Sequence, residues 1–278
     1  MGYVEVYQYV GSSWSRLGSK ITNANTNQNH IGRENGISLS SNGYRLATGS
    51  YFGNDVIIYE YSNGSWSKLG DTINVTIGIT TYYGNSVSLS SDGTILAIGS
   101  WRWYNNDFTI GGLVQIYQES NGTWNQLGGD FFGDNSGSKC GYAVSLSSDG
   151  TIVAIGSPHS TNANVRVYQY DSTKLAAETD TSSSDFGPVG WRRLGGDING
   201  PEIGVSLSIS SDGMTIAIGS KTSNTQQGKA FLYTYSNGNW NKVGSDITLS
   251  SKSDENIAVS LSADGSKVSV GNLAASNY

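Results

Sequence analysis

Charge is the first thing this chain lacks. Only 14% of its 278 residues are Asp, Glu, Lys or Arg, against roughly 25% in an average soluble domain. The 22 acidic and 16 basic side chains leave a net charge of −6 and a pI near 4.8. Nucleic acid and anionic membrane both demand a basic patch, so neither is an expected partner. Cysteine occurs once, at Cys140, which excludes an internal disulfide and leaves the redox compartment open. With that cysteine and two histidines, His30 and His159, no His/Cys metal site is expected. A Ser-His-Asp triad would need one of those two histidines, and no G-x-S-x-G elbow occurs among the many serines. No apolar run reaches the ~18 residues of a membrane span. Strand-like sequence starts at Tyr3, so no signal-peptide pattern is expected before it.

What is present is repetition. The 37 glycines are nearly twice the usual share of about 7%. Many of them sit in copies of one stretch, VSLSSDGTILAIGS at 87–100, with relatives at 37–50, 144–157, 207–220 and 259–272. The turn glycines Gly43, Gly93, Gly150, Gly213 and Gly265 are spaced by 50, 57, 63 and 52 residues. From Gly265 through the end of the chain and on from its start to Gly43 is 56 residues, inside the same range, so the repeat reads as a closed circle. A second hairpin lies between the copies, as in VIIYEYSNGSWSKLG at 56–70 and VQIYQESNGTWNQLG at 114–128. Each unit is thus four short strands, a to d. The SNG and SDG turns tolerate the positive φ of tight hairpins.

The strand patterns carry packing information. In strand a, Val87 and Leu89 point one way and Ser86, Ser88 and Ser90 the other, because side chains alternate along a strand. Small serines on one side allow neighbouring sheets to approach closely near an axis. Strand b, TILAIG, is apolar without alternation, as a strand covered on both faces should be. Four-stranded sheets repeated around an axis are the β-propeller solution to exposed edges. The expected fold is therefore all-β: a single five-bladed β-propeller over residues 1–278, its last blade built from N-terminal strands c and d and C-terminal strands a and b.

The stretch YGNSVSLSSDGTILAIGS followed by GLVQIYQ, residues 83–100 and 112–118, resembles the repeat of FG-GAP and WD-type propellers. The resemblance covers essentially the whole chain, with two departures. The integrin type of FG-GAP blade carries a calcium loop of alternating acidic residues; the turn here is only SSDG, so calcium is not implied and no cofactor is expected. WD repeats carry a His and a Trp-Asp pair; strand c here has Tyr7, Tyr59, Tyr117, Tyr168 or Tyr233 instead.

In such a propeller the a–b and c–d turns share one face, and the b–c and d–a connections the other. The first face is uniform. The second varies in length and is rich in aromatics, and function usually sits on variable loops held by a rigid scaffold. The candidate ligand-binding residues there are Tyr51, Phe52, Tyr82, Tyr83, Trp101, Trp103, Tyr104, Phe108, Phe131 and Phe132. The loop 101–108, WRWYNNDF, is the leading contact site, unless it folds over and caps its own blade. Trp14, Trp66, Trp124, Trp191 and Trp240 fit either sugar platforms or packing between blades. Residues 171–190 read as a mobile surface insertion. Asn63, Asn74 and Asn121 lie in N-x-S/T sequons.

These features predict a non-catalytic module binding a protein or glycan partner through its variable face, at an extracellular, cell or virion surface. A structural subunit of a coat or matrix is the alternative. A glycoside hydrolase is the enzyme reading, with no carboxylate pair singled out to carry it.

Overall fold

The computed structural model describes residues 2–22, 31, 35–50, 53–75, 78, 82–158, 163–180, 183, 186–221, 227–249 and 256–272. Among them there is no helix. Four antiparallel sheets repeat along the chain. In the second, strand a is Ser86–Leu89, b is Ile95–Tyr104, c is Gly111–Ser120 and d is Thr123–Gln126, continued as Phe131–Phe132. The first begins with Ile37–Leu39, Arg45–Ser50 and Asp55–Ser62, the third with Ala143–Leu146, Ile152–Ser157 and Asn164–Tyr170, the fourth with Ile203–Ile209, Thr215–Ser220 and Lys229–Ser236. These are blades of a β-propeller.

The local sequence explains each hairpin. At the c–d turns Asn63 and Gly64 have φ of 50° and 82°, and Asn121 and Gly122 have 52° and 79°, the two successive positive values of a type I′ turn. Strand d is interrupted by a bulge. In the first blade Tyr59 pairs with Lys68 while Val56 pairs with Ile73, so two extra residues are inserted between the two pieces. The same offset recurs in the second blade, where Tyr117 pairs with Gln126 and Val114 with Phe131. The bulge holds the Leu-Gly pair of the repeat and points it at the next blade. Trp66 Nε1 donates to Leu17 O at 2.8 Å, Trp124 to Leu69 at 3.1 Å, Trp191 to Leu127 at 3.0 Å and Trp240 to Leu194 at 2.7 Å. Those four tryptophans are joints between blades.

Nearer the axis the serines of strand a form a second joint. The Val144 and Leu146 amides donate to Ser86 and Ser88 Oγ at 2.9 and 3.0 Å. Strand b is buried on both faces: every residue of Ile152–Ser157 is buried. The apolar core therefore runs from blade to blade, with Ile95, Val114, Val144 and Tyr168 in one cluster.

The ends depart from expectation. Ile257–Leu261 pairs with Val268–Asn272, and the N-terminal strands pair among themselves, Tyr3–Val4 with Ile21–Thr22 and Tyr7–Val10 with Ser13–Arg16. The two half-blades form separate sheets, so the described strands make four complete blades and two halves that are not joined. The last blade expected from strands of both ends is not assembled here, because strand b of one half and strand c of the other do not pair.

The a–b turns share one electrostatic device. Asp92 Oδ1 accepts from Ser90 Oγ at 2.6 Å and from the Thr94 amide at 2.9 Å, and Asn42 does the same work in the first blade. Burial raises the Asp92 and Asp149 carboxyls, but these hydroxyl and amide donors outweigh it and hold both below the usual range. Ser262 and Ser266 hold Asp264 down to about 2. A depressed carboxyl contributes stability that is present above its unfolded value near 3.9 and is lost as pH falls toward the folded one. The melting temperature should therefore drop between about pH 4 and pH 2. Asp149→Asn, imitating Asn42, should flatten that dependence in a pH series of thermal melts; an unchanged slope refutes the account.

Candidate functional site

Strand c of the third blade carries a charge at a position that is uncharged in the other complete blades. Between buried Val165 and Val167 stands Arg166, whose side chain is 10% exposed. Its counterparts are Ile57, Gln115 and Phe231. A charge in such a place must be paired. Arg166 Nη1 and Nη2 donate to Asp134 Oδ1 and Oδ2 at 2.7 and 2.8 Å, and Nε donates to Asp197 Oδ1 at 3.0 Å. Arg193 reaches the same Asp197 oxygen at 2.6 Å. Burial works against the Arg166 charge, and Asp134 and Asp197 more than offset it, so the guanidinium is held protonated. The network joins strands c and d of the third blade to the d–a connection of the second.

Beside it lies a cavity of about 430 Å³, within the size range of small-molecule sites. Phe131 and Phe132 come from the second blade, Tyr168 from strand c of the third, and Glu178 and Phe186 from the insertion. Tyr168 shares a strand face with Arg166 two residues earlier. Its ring packs 4.8 Å from Phe131 and 6.4 Å from Phe186. Only 5% of Tyr168 is exposed, and its hydroxyl makes no hydrogen bond to any described residue. Burial pushes this phenol well above its ordinary value, so it is a neutral donor facing the cavity it lines. Asp130 lines the same wall, its Oδ1 accepting from Gln115 Nε2 at 2.8 Å and Gln126 Nε2 at 2.6 Å.

The insertion is the wall that sequence reasoning misjudged. Its described residues are fixed rather than loose. Lys174, 6% exposed, donates Nζ to the carbonyls of Gly187 and Trp191, both at 2.7 Å. Glu178 and Gly187 form an antiparallel bridge, and the Gly129 amide of the second blade donates to Val189 O at 2.8 Å. A lysine that exchanges water for two carbonyls holds the segment against both blades.

Of the residues expected to bind a ligand, Phe131 and Phe132 line this cavity. Tyr83 is fully buried and donates to Gln115 Oε1 at 2.7 Å, so it supports the amide that holds Asp130. The stretch 101–108 is not a loop throughout: strands b and c of the second blade extend to Ile95–Tyr104 and Gly111–Ser120, and the pairing shifts register between Ser100 and Tyr104, which breaks the regular alternation of side chains. Trp103 is buried and packs 5.0 Å from Phe132. Trp101 joins Tyr82 and Tyr142 at 5.5 and 5.8 Å, with Arg102 and Lys139 stacked near it. Tyr104 and Phe108 form a separate pair. Tyr51, Phe52, His30 and His159 lie outside the described residues. Missed by the sequence reading were Arg166, Tyr168, Glu178 and Phe186; an arginine inside an otherwise apolar strand was the available signal. Cys140 is no nucleophile, since burial pushes its thiol up to about 12.

No protein-family model matches the sequence, and no curated protein matches it. Solved structures do. The periplasmic gluconolactonase PpgL of Pseudomonas aeruginosa is 17% identical with a TM-score of 0.59, over 96% of this chain and 71% of that one. A 6-phosphogluconolactonase candidate from Bacteroides uniformis is 12% identical with a TM-score of 0.57, over 97% and 68%. Hydrazine synthase of Kuenenia stuttgartiensis is 12% identical with a TM-score of 0.51, over 84% and 60%. These likenesses show a β-propeller. They give no support to the FG-GAP or WD repeat in particular. The expectation of a non-catalytic binding, lectin-like or coat module is overturned, because the neighbours include lactonases: a rigid scaffold with few catalytic residue types is no argument against hydrolysis.

Removing the guanidinium should expose how much the third blade depends on it. Arg166→Ala leaves Asp134 and Asp197 without this partner and should cost about 3–5 kcal/mol, read as a lower urea midpoint at constant slope. A loss under about 1 kcal/mol, the size of a surface pair, would contradict the burial argument.

Proposed function

We propose that this chain is a propeller hydrolase acting on a small sugar-derived lactone, bound in the cavity between the second and third blades. The observation that carries the reading is Tyr168, a buried neutral phenol with its hydroxyl uncommitted in an aromatic-walled cavity. The lactonases among the structural neighbours support the reaction class, at an identity that carries the fold alone. The cavity is lined by Ile110 and Asp134 from the b–c and d–a connections and by Glu178 and Phe186 from the c–d insertion.

Lactone hydrolysis has modest requirements. Water adds to the ring carbonyl carbon, the carbonyl oxygen becomes an oxyanion, and the ring C–O bond breaks to leave a hydroxy acid. Phe131, Phe132 and Phe186 supply apolar faces for the ring carbons. Tyr168 donates its hydroxyl to the oxygen that gains charge, the role of an oxyanion donor in a water-poor site. Glu178 forms no ion pair among the described residues, and one of its oxygens accepts from the Asp180 amide at 2.9 Å. It takes the proton from the attacking water and returns it to the leaving ring oxygen. Asp134 is committed to Arg166 and is not the base. No metal step is needed for this sequence of transfers. The finer kinship of the repeat, with FG-GAP or WD propellers, rests on its hairpin sequence and bears on ancestry rather than chemistry.

A panel of five- and six-membered sugar lactones, followed by acid release, tests the reading. Tyr168→Phe should lower kcat by about 100-fold, the low end for loss of one oxyanion donor, with KM little changed and the fold intact by circular dichroism. Glu178→Gln should abolish turnover. Absence of hydrolysis across the panel, or a Tyr168→Phe enzyme with parental kcat, sinks the proposal.

A further inference from the structure

An aspartate sits in the strand-d bulge of three of the complete blades, and the blades differ in what neutralises it. Asp130, Asp197 and Asp246 occupy the same repeat position, six residues after Trp124, Trp191 and Trp240. In the third blade Arg193, four residues earlier, and Arg166 on strand c both reach Asp197. In the fourth blade Lys242, again four residues earlier, and Lys229 on strand c both reach Asp246. Each of these two carboxylates is matched by two cations of its own sheet.

In the second blade the carboxylate is kept and the cations are gone. Gln126 stands where Arg193 and Lys242 stand, Gln115 where Arg166 stands and Leu113 where Lys229 stands. Both glutamines donate to one oxygen, Asp130 Oδ1, at 2.8 and 2.6 Å. The Tyr83 and Tyr117 hydroxyls donate to Gln115 Oε1 at 2.7 and 3.2 Å, which turns its Nε2 toward the carboxylate. These bonds fix Asp130 without cancelling its charge, since a glutamine amide is a neutral donor. Asp130 forms no ion pair among the described residues, and its Oδ2 accepts no hydrogen bond from them. Of the three aspartates, it is the one that lines the cavity between the second and third blades.

The cavity does not supply the missing positive charge. Its lining holds Asp130, Asp134 and Glu178 and no lysine or arginine. Asp134 is matched by Arg166, and the nearby Lys174 gives its Nζ to the Gly187 and Trp191 carbonyls. A half-buried carboxylate among aromatic rings calls for a cation, and the protein has replaced its own. The rings of Phe131, Phe132, Tyr168 and Phe186 in the lining favour an organic ammonium over a hydrated metal ion. Among the described residues no three His, Cys, Asp or Glu side chains gather as a metal site.

We propose that the cavity selects a ligand bearing an ammonium group, with Asp130 Oδ2 as its counter-ion, and that the lactone hydrolysed there derives from an amino sugar. The uncompensated carboxylates repel a phosphorylated or carboxylated lactone. The choice of lactone rests on the hydrolase reading; the cation site does not.

Binding and turnover are therefore measured separately. Calorimetry at mildly acidic pH, where the amine is protonated, compares glucosamine, glucose and glucose 6-phosphate, none of them a lactone. Glucosamine should bind about 10-fold more tightly than glucose, the scale of one partly desolvated cation contact, and glucose 6-phosphate should not bind. Asp130→Asn keeps Oδ1 as the acceptor for both glutamines and should erase the difference between glucosamine and glucose. Gln126→Lys restores the cation of the fourth blade and should erase it as well. Equal affinity for the two sugars in the parent protein, or a preference that survives both substitutions, overturns the proposal. In turnover, the lactone of glucosaminic acid should show a kcat/KM about 10-fold above that of gluconolactone, and Asp130→Asn should bring the ratio to about one. Equal hydrolysis of both lactones and of the 6-phosphate leaves the hydrolase reading standing and overturns this one. Selective glucosamine binding with no lactone hydrolysed keeps the cation site and overturns the lactone.

Discussion

The tightest contact between neighbouring blades is backbone against backbone, at the glycine near the end of strand b in each of the four complete blades. A Cβ placed on Gly49 would lie 1.8 Å from Gly84 O, and on Gly99, Gly156 or Gly219 it would lie 2.2 Å from the carbonyl of Gly141, Gly204 or Ile257. No side chain fits there, so the residue has to be glycine, and the next blade can start directly on top of it. That contact sets the distance between blades. Everything outside it follows: the strand-a serines come within hydrogen-bond reach of the neighbouring amides, and the tryptophans at the rim reach the bulge carbonyls. The insistent Ala-Ile-Gly-Ser of the repeat is the chemical record of that spacing.

A scaffold built from identical joints can carry a specific site only where the repeat is broken. The second-to-third joint is broken twice. Arg166 replaces an apolar or amide side chain on strand c, and the insertion after Tyr170 adds a segment that no other blade has. Burying the guanidinium is costly and is offset by two carboxylates, Asp134 from the d–a connection of the second blade and Asp197 from the strand-d bulge of the third. The surrounding groups are thereby held in one arrangement. Phe186 lies 5.1 Å from the Arg166 guanidinium and 5.8 Å from that of Arg193, so the same charges that satisfy the carboxylates also fix an aromatic wall of the cavity.

The architecture was legible because it is written many times. Period-two patterns in strand a, the apolar run of strand b and Asn-Gly turns recur in each unit, and a misreading in one copy is corrected by the others. The tryptophans of the WxxLG repeat could be read two ways from sequence, and the structure resolves four of them as joints. The site was poorly legible for the opposite reason. Tyr168 is the tyrosine that strand c carries in every unit, and the residues that set it apart, Arg166, Glu178 and Phe186, occur once and are connected by no local period. The aromatic richness of 101–108 pointed away from it. A break in register between Ser100 and Tyr104 puts Trp103 in the core and Trp101 in a different cluster, a split that composition alone does not display. Lys174 was hidden by its setting, since a lysine in a Ser-, Thr- and Asp-rich stretch reads as solvated until its two carbonyl partners are seen.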